Sequence, residues 1–227
     1  MFFKDETIAF KAFIGLINKF DMVHLFKEEL PMLKLFFYKL DRLISMYLPD
    51  LYSHFKDECV QSSLFSASWF ITLFSNTIQF QKSDSINEPL LKLWDFFMVY
   101  GFKGVFRAAI FLLQTFEICW YQLSFEQILA FIPQTPRFIF VPNEAEEGES
   151  NEKMISNLLM QSTQSRDSNI SNKISEIRKN LNLTSNLHLY LHEINISNFI
   201  LEKLDDEYFE SQKRSEIFEI KEDLESP

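Results

Sequence analysis

Apolar residues recur through the first 135 positions at intervals of three and four, the spacing that lines one face of an α-helix. Phe10, Phe13, Ile14 and Ile17 make one such stripe. Leu33, Phe36, Phe37, Leu40, Leu43, Ile44 and Tyr47 extend the same pattern over four turns, with Pro31 just inside its start, where its missing N–H costs nothing. Pro49 then breaks the chain ahead of a short helix around Leu51 to Phe55. Ser62 or Ser63 is placed to cap a further helix whose inner face holds Phe65, Trp69, Phe70, Leu73 and Phe74.

The polar stretch from Gln79 to Asn87 reads as a loop. A helix from Pro89 to about Tyr100 follows, burying Leu90, Leu93, Trp94 and Phe97, and Gly101 marks its end as a residue that tolerates the left-handed conformation. The next helix turns Val105, Phe106, Ala109, Ile110 and Leu113 inward. Ser124 caps a last one with Ile128, Leu129 and Ile132 as its stripe. Alternation of the strand type is nearly absent, so the pattern predicts an all-α, multi-helix domain over residues 1–140.

Beyond Pro142 the character changes. Glu144, Glu146, Glu147 and Glu149 run into a Ser/Asn/Gln-rich stretch whose few aromatics cannot offset the entropy of ordering it, so residues 141–173 read as an acidic linker or insertion. Apolar content returns in residues 174–209, a terminal helical segment, and residues 210–227 form a charged, solvent-exposed tail.

Composition strengthens the helical reading: 26 phenylalanines stand against four glycines, few for a sheet protein with many tight turns. The net charge of −10 is lopsided. Residues 1–140 hold 14 acidic and 13 basic side chains, whereas residues 141–227 hold 18 acidic and 9 basic. No basic stripe is available to neutralise phosphates, which argues against nucleic-acid binding and against electrostatic docking on an anionic membrane. Cys59 and Cys119 follow no metal or redox spacing and read as buried cytosolic thiols. Lys4, Asp5 and Glu6 interrupt any signal-peptide pattern, and the longest charge-free run, from Val60 to Gln81, is punctuated by polar residues. These features together predict a soluble cytoplasmic protein.

Candidate chemistry is sparse. His188 and His192 are four apart, a metal-ligand spacing, but Leu189, Tyr190 and Leu191 separate them with no glutamate to act as base, and they read as surface or half-buried histidines. His24 and His54 lack ligand-spaced partners, and Asp205, Asp206 and Glu207 read as a solvated helix end. No glycine-rich nucleotide loop or G-x-S-x-G elbow occurs. No catalytic, cofactor-binding or metal residue is assigned, and no cofactor is expected.

Two stretches carry a resemblance. Residues 62–76, from Ser62 through Trp69 and Phe70 to Asn76, resemble the "SLFASQWFLTLF" helix of TBC domains, the all-helical module of Rab GTPase-activating proteins. Residues 93–107, which include Trp94, Asp95, Phe96, Phe97, Gly101, Lys103, Phe106 and Arg107, resemble that family's "WDxFFxxGxKxxFR" helix pair. Upstream, Asp5, Glu6, Ala9 and Phe10 are similar to its "DEExAF" start, and Pro49, Leu51, His54 and Phe55 to its "PxLxxHF". The match runs over residues 5–132 and resumes weakly over 190–209, where Ile194, Ile196, Leu201, Leu204, Glu207 and Tyr208 resemble the closing helix.

The resemblance implies a regulator that inserts an arginine and a glutamine into the active site of a bound Rab GTPase. The arginine sits in an "IxxDxxR" motif and the glutamine in "YxQGM". An arginine of this kind contributes on the order of 10³–10⁵ in rate, or roughly 4–7 kcal/mol of barrier. Neither motif is present. Three positions before Arg42, Arg107, Arg137, Arg166, Arg178 and Arg214 stand Lys39, Gly104, Gln134, Thr163, Ser175 and Ser211, and none of the seven tyrosines has glutamine two residues later. The chain therefore resembles the carboxy-terminal half of a TBC domain, starting after the catalytic half ends: a fragment or truncated form expected to lack GAP catalysis by itself, with a non-catalytic Rab- or adaptor-binding module as the alternative. A Rab-family GTPase is the implied partner, with peripheral recruitment to endomembranes through it. Trp69 and Trp94 are expected to anchor helix packing, and Asp95 and Arg107 to pair or cap across neighbouring helices. A half-domain is also expected to expose an apolar patch larger than the few hundred Å² usual for monomers.

Overall fold

The computed structural model describes residues 5–76, 88–136 and 183–225. Ten α-helices occur among them: α1 (Glu6–Lys19), α2 (Pro31–Tyr47), α3 (Pro49–Asp57), α4 (Ala67–Thr72), α5 (Glu88–Tyr100), α6 (Phe102–Thr115), α7 (Glu117–Trp120), α8 (Phe125–Phe131), α9 (Leu183–Glu193) and α10 (Asn198–Glu225). Short 3₁₀ turns precede α2 and α4 and follow α8. No strand occurs among the described residues, in agreement with the all-α expectation. The loop expected over 79–87 and the linker expected over 141–173 lie outside the described residues.

Helix α6 is the axis of the body. All ten residues from Gly104 to Leu113 are buried, nine of them apolar or glycine and the tenth Arg107. It packs on α5, α9, α4 and α2. Gly104 permits the closest of these approaches: a Cβ there would lie 3.1 Å from Phe96 Cδ1 and 3.4 Å from the Phe96 carbonyl of α5. The link between α5 and α6 turns on Gly101, which ends α5 as expected but at φ +59° and ψ −147°, a positive-φ conformation outside the left-handed helical region and open chiefly to glycine. Against this axis α2 buries Leu33, Phe36, Leu40, Leu43 and Ile44, five of its seven stripe residues. The Phe36 ring lies 5.0, 4.6 and 5.5 Å from those of Phe70, Phe102 and Phe106, tying three elements at one point. Burial of each such side chain stabilises the fold by roughly 1.5–3 kcal/mol.

The segment from Ser62 to Phe74 departs from the single helix expected there. It forms a 3₁₀ turn at Ser62–Leu64, then α4 for only six residues, and ends where Leu73 and Phe74 enter the left-handed region at φ 49° and 65°. Its expected inner residues Phe65, Trp69, Phe70, Leu73 and Phe74 are nonetheless all buried. The break buys side-chain burial at a backbone cost of about 1–2 kcal/mol per left-handed residue. Ser62 does not cap α4. Its N–H instead donates to Asp41 Oδ1 at 3.0 Å and its hydroxyl to the Phe37 carbonyl at 3.0 Å, pinning the turn to α2. Ser124, by contrast, is the cap that the sequence predicts and forms a capping box with Gln127 ahead of α8.

Burial lifts the Asp41 carboxyl above its ordinary range, partly offset by the bonds from Ser62. A carboxyl with a raised folded pKa holds its proton more tightly folded than unfolded. Its contribution is therefore fullest below the unfolded value and is lost as pH rises through the raised one. Asp41→Asn retains an oxygen for the Ser62 N–H and deletes the charge. Urea midpoints compared between about pH 4 and pH 8 are expected to show, in the wild type alone, a component that declines as pH rises. The variant is expected to be at least as stable at neutral pH; a less stable Asp41→Asn there would contradict the assignment.

Helix α10 joins the body through α2. Lys39, only 8% exposed at its side chain, forms an ion pair with Asp205, and Arg42 reaches Glu207 at 3.4 Å. Leu204 is buried between these contacts, and the Tyr38 and Tyr208 rings lie 5.4 Å apart. The acidic run at 205–207, expected to be a solvated helix end, is thus half-buried at Asp205 and Glu207. Helix continues into the expected tail as far as Glu225.

Candidate functional site

The second motif stretch ends on Arg107, a buried charge in α6. It is 7% exposed, its Nη2 donates to the Ile196 carbonyl at 3.2 Å, and its guanidinium lies 5.4 Å from the Tyr100 ring centroid. Its Nε is buried without a partner. The expected pairing with Asp95 does not form. Asp95 lies exposed on the outer face of α5, whereas Arg107 occupies the all-buried stretch of α6, and no carboxylate lies within 4 Å of it among the described residues. A buried guanidinium held by one carbonyl and one aromatic face, and left unpaired at Nε, fastens the chain entering α10 to the central helix. Lys103 reinforces that junction, donating to Asn198 Oδ1 at 2.7 Å.

Trp69 is fully buried, with its ring 5.3 Å from Phe65 and 5.5 Å from Phe74, while Trp94 is half-buried against the core. The indole nitrogens of both find no hydrogen-bond partner. The histidines are dispersed. His192 packs edge-on against Phe96 and Tyr100, its Nε2 lying 3.3 Å from the Tyr100 hydroxyl, and His188 is exposed. His54 sets its ring against Tyr121, and His24 lies 3.8 Å from Asp21. Among the described residues no group of three His, Cys, Asp or Glu side chains is arranged to hold a metal ion. No helix among them is long and apolar enough to cross a membrane.

Two surface features remain. The first is α1, which carries no buried residue at all. Leu16, Ile17 and Phe20 rest on the core at its carboxy-terminal end, but Ile8, Phe10, Phe13 and Ile14 are 52%, 64%, 53% and 41% exposed. The Phe10, Phe13, Ile14 and Ile17 stripe is therefore bare along most of its length. Asp5 holds the start of this helix, accepting from the Thr7 N–H at 2.7 Å and the Ile8 N–H at 3.3 Å.

The second is a pocket of about 390 Å³ where α2, α6 and α9 meet, walled by Tyr47, Phe111 and Tyr190 and edged by Gln114 and Glu193. The Phe111 and Tyr190 rings are stacked at 5.8 Å and 17°. Tyr47 closes one wall by donating its hydroxyl to the Asn195 carbonyl at 2.7 Å. Burial raises the pKa of that hydroxyl, and the nearby Arg107 charge partly offsets the rise. Sequence reasoning missed this pocket because its walls come from three segments far apart in the chain, with no local spacing to signal them.

The chain is similar to several known proteins over much of the body just described. It is 25% identical over 212 residues to the GTPase-activating protein GYP5 of Eremothecium gossypii, covering 91% of this chain and 24% of that one. It is 32% identical over 124 residues to the Ecotropic viral integration site 5 protein of Mus musculus, covering 55% of this chain and 14% of that one. Over 132 residues it is 28% identical to the Rab GTPase-activating protein eat-17 of Caenorhabditis elegans, covering 58% of this chain and 14% of that one. The chain thus spans between 14% and 24% of the length of these relatives. The Rab-GTPase-TBC domain model matches residues 1–119, the stretch that holds α1 to α6, the central Arg107 and both motif segments, and the chain belongs to that family.

Proposed function

We propose that this chain takes part in Rab-GTPase regulation, and so in vesicle traffic, as a TBC-family helical module that does not accelerate GTP hydrolysis by itself. The observation that carries the reading is chemical. The family resemblance calls for an arginine three residues after an aspartate and a glutamine two residues after a tyrosine, and this sequence contains neither. Without them, no group is supplied to neutralise charge on the transferred phosphoryl or to orient the attacking water. The relatives named for GTPase activation support a Rab-family partner, met on an endomembrane that the chain visits through the GTPase.

GTP hydrolysis by a panel of Rab proteins, with and without a molar excess of the chain, tests this. Rates are expected to stay within about tenfold of the intrinsic rate, far below the 10³–10⁵ that an inserted arginine supplies. A stimulation beyond that overturns the proposal.

The bare face of α1 favours a second reading, a binding module that docks a GTPase or adaptor without catalysis. Retention of a GTP-loaded Rab by the chain, unaccompanied by faster hydrolysis, is the result that would separate it from an inert fragment.

A further inference from the structure

The pocket between α2, α6 and α9 has a composition that selects its occupant. Its walls are aromatic faces and aliphatic carbons, from Tyr47, Phe111, Tyr190 and Ile194. Its polar lining is the Glu193 carboxylate, the Gln114 and Asn195 carboxamides and the Thr115 hydroxyl, which is spent on the Phe111 carbonyl; Glu193 and Gln114 have no side-chain partner among the described residues. Glu193 carries the one formal charge on the lining. Such a set suits a group with an apolar stem and a cationic, many-donor head. The stem lies along the rings and Ile194, the head meets the π-faces, and its N–H groups reach the carboxylate and carboxamide.

We propose that this pocket receives a basic side chain, the guanidinium of an arginine above all, from a partner polypeptide. At about 390 Å³ it holds one such side chain with room for bridging water. Arg107 is the opposing charge, and it does not line the pocket: its guanidinium is committed to the Ile196 carbonyl and the Tyr100 face. The net charge of −10 favours encounter with basic partners. The site stands whatever the outcome of the GTP-hydrolysis assay, since none of its residues takes part in that reading.

The test is an amide-resolved NMR titration of the whole chain with N-acetyl-arginine-N-methylamide, beside the citrulline analogue, which has the same shape without the charge, and the glutamate analogue. Saturable shifts are expected around Gln114, Tyr190 and Asn195 with the arginine probe, with Kd in the millimolar range. Binding is expected to weaken about tenfold or more with the citrulline probe and in Glu193→Gln, a substitution at an exposed side chain that leaves the melting temperature in place. No saturable shift at these amides, equal binding of arginine and citrulline, an unaffected Glu193→Gln, or preference for the glutamate probe would each overturn the proposal.

Discussion

Replacing Trp120 with alanine is expected to cost about 3–5 kcal/mol, the cost of emptying a buried aromatic site. The indole is fully buried, with its ring 5.1 Å from Phe131, 6.2 Å from Phe116 and 6.3 Å from Phe55, so it joins α3, α7 and α8. Its Nε1 also donates to the Leu113 carbonyl at 2.9 Å, tying the end of α6 to the same cluster. Domains of this size hold only about 5–15 kcal/mol in total, so the variant should lose at least about a fifth of its margin. Urea denaturation followed by circular dichroism would read this as a lower midpoint at unchanged slope. Phenylalanine at the same site keeps most of the ring and loses the hydrogen bond, an effect of about 1 kcal/mol beyond the small loss of volume. Trp69 is the internal control. Its indole nitrogen is buried without a partner, so Trp69→Phe should cost less than Trp120→Phe. A loss below about 1 kcal/mol in Trp120→Ala would mean that the cluster is not holding these helices together.

The second large effect is expected at the seam between α2 and α10. Asp205→Ala strands the Lys39 ammonium, whose side chain is 8% exposed, away from both water and counter-charge. Breaking such a pair costs about 3–5 kcal/mol, and the lower figure applies here because Asp205 itself remains 35% exposed. The double variant Lys39→Met with Asp205→Ala removes both the charge and its need, and should return to within about 1 kcal/mol of the wild type. Arg42→Ala breaks a neighbouring pair with side chains 48% and 33% exposed, and should cost no more than about 1 kcal/mol. A double variant no more stable than Asp205→Ala would show that packing, rather than charge, holds this seam.

What the sequence disclosed and what it hid follow one physical line. Periodicity reports which residues share a helical face, and where that face meets the body it predicted burial well. Leu33, Phe36, Leu40, Leu43 and Ile44 on α2 all lie inside. On α1 the same signal placed Phe10, Phe13 and Ile14 on one face, yet they lie in the open, because periodicity does not say what is present to cover them. Backbone punctuation with a steric cause was legible: Gly101 ends α5 at positive φ, and Ser124 caps α8. The early end of α4 was not, since Leu73 and Phe74 are poor left-handed residues and are held there by the burial they gain. Long-range charge pairing was the least readable. Asp95 and Arg107 looked like partners at a distance of twelve positions, whereas Lys39 found its carboxylate on α10, far along the chain.

The bare stripe on α1 also bears on how long the protein lasts in a cell. Chaperones and proteolytic surveillance recognise unfolded chains by the large apolar side chains they display, and Phe10, Phe13 and Ile14 display that signal from a folded helix. A correctly folded copy in which this face is uncovered is therefore expected to turn over faster than one in which it is covered.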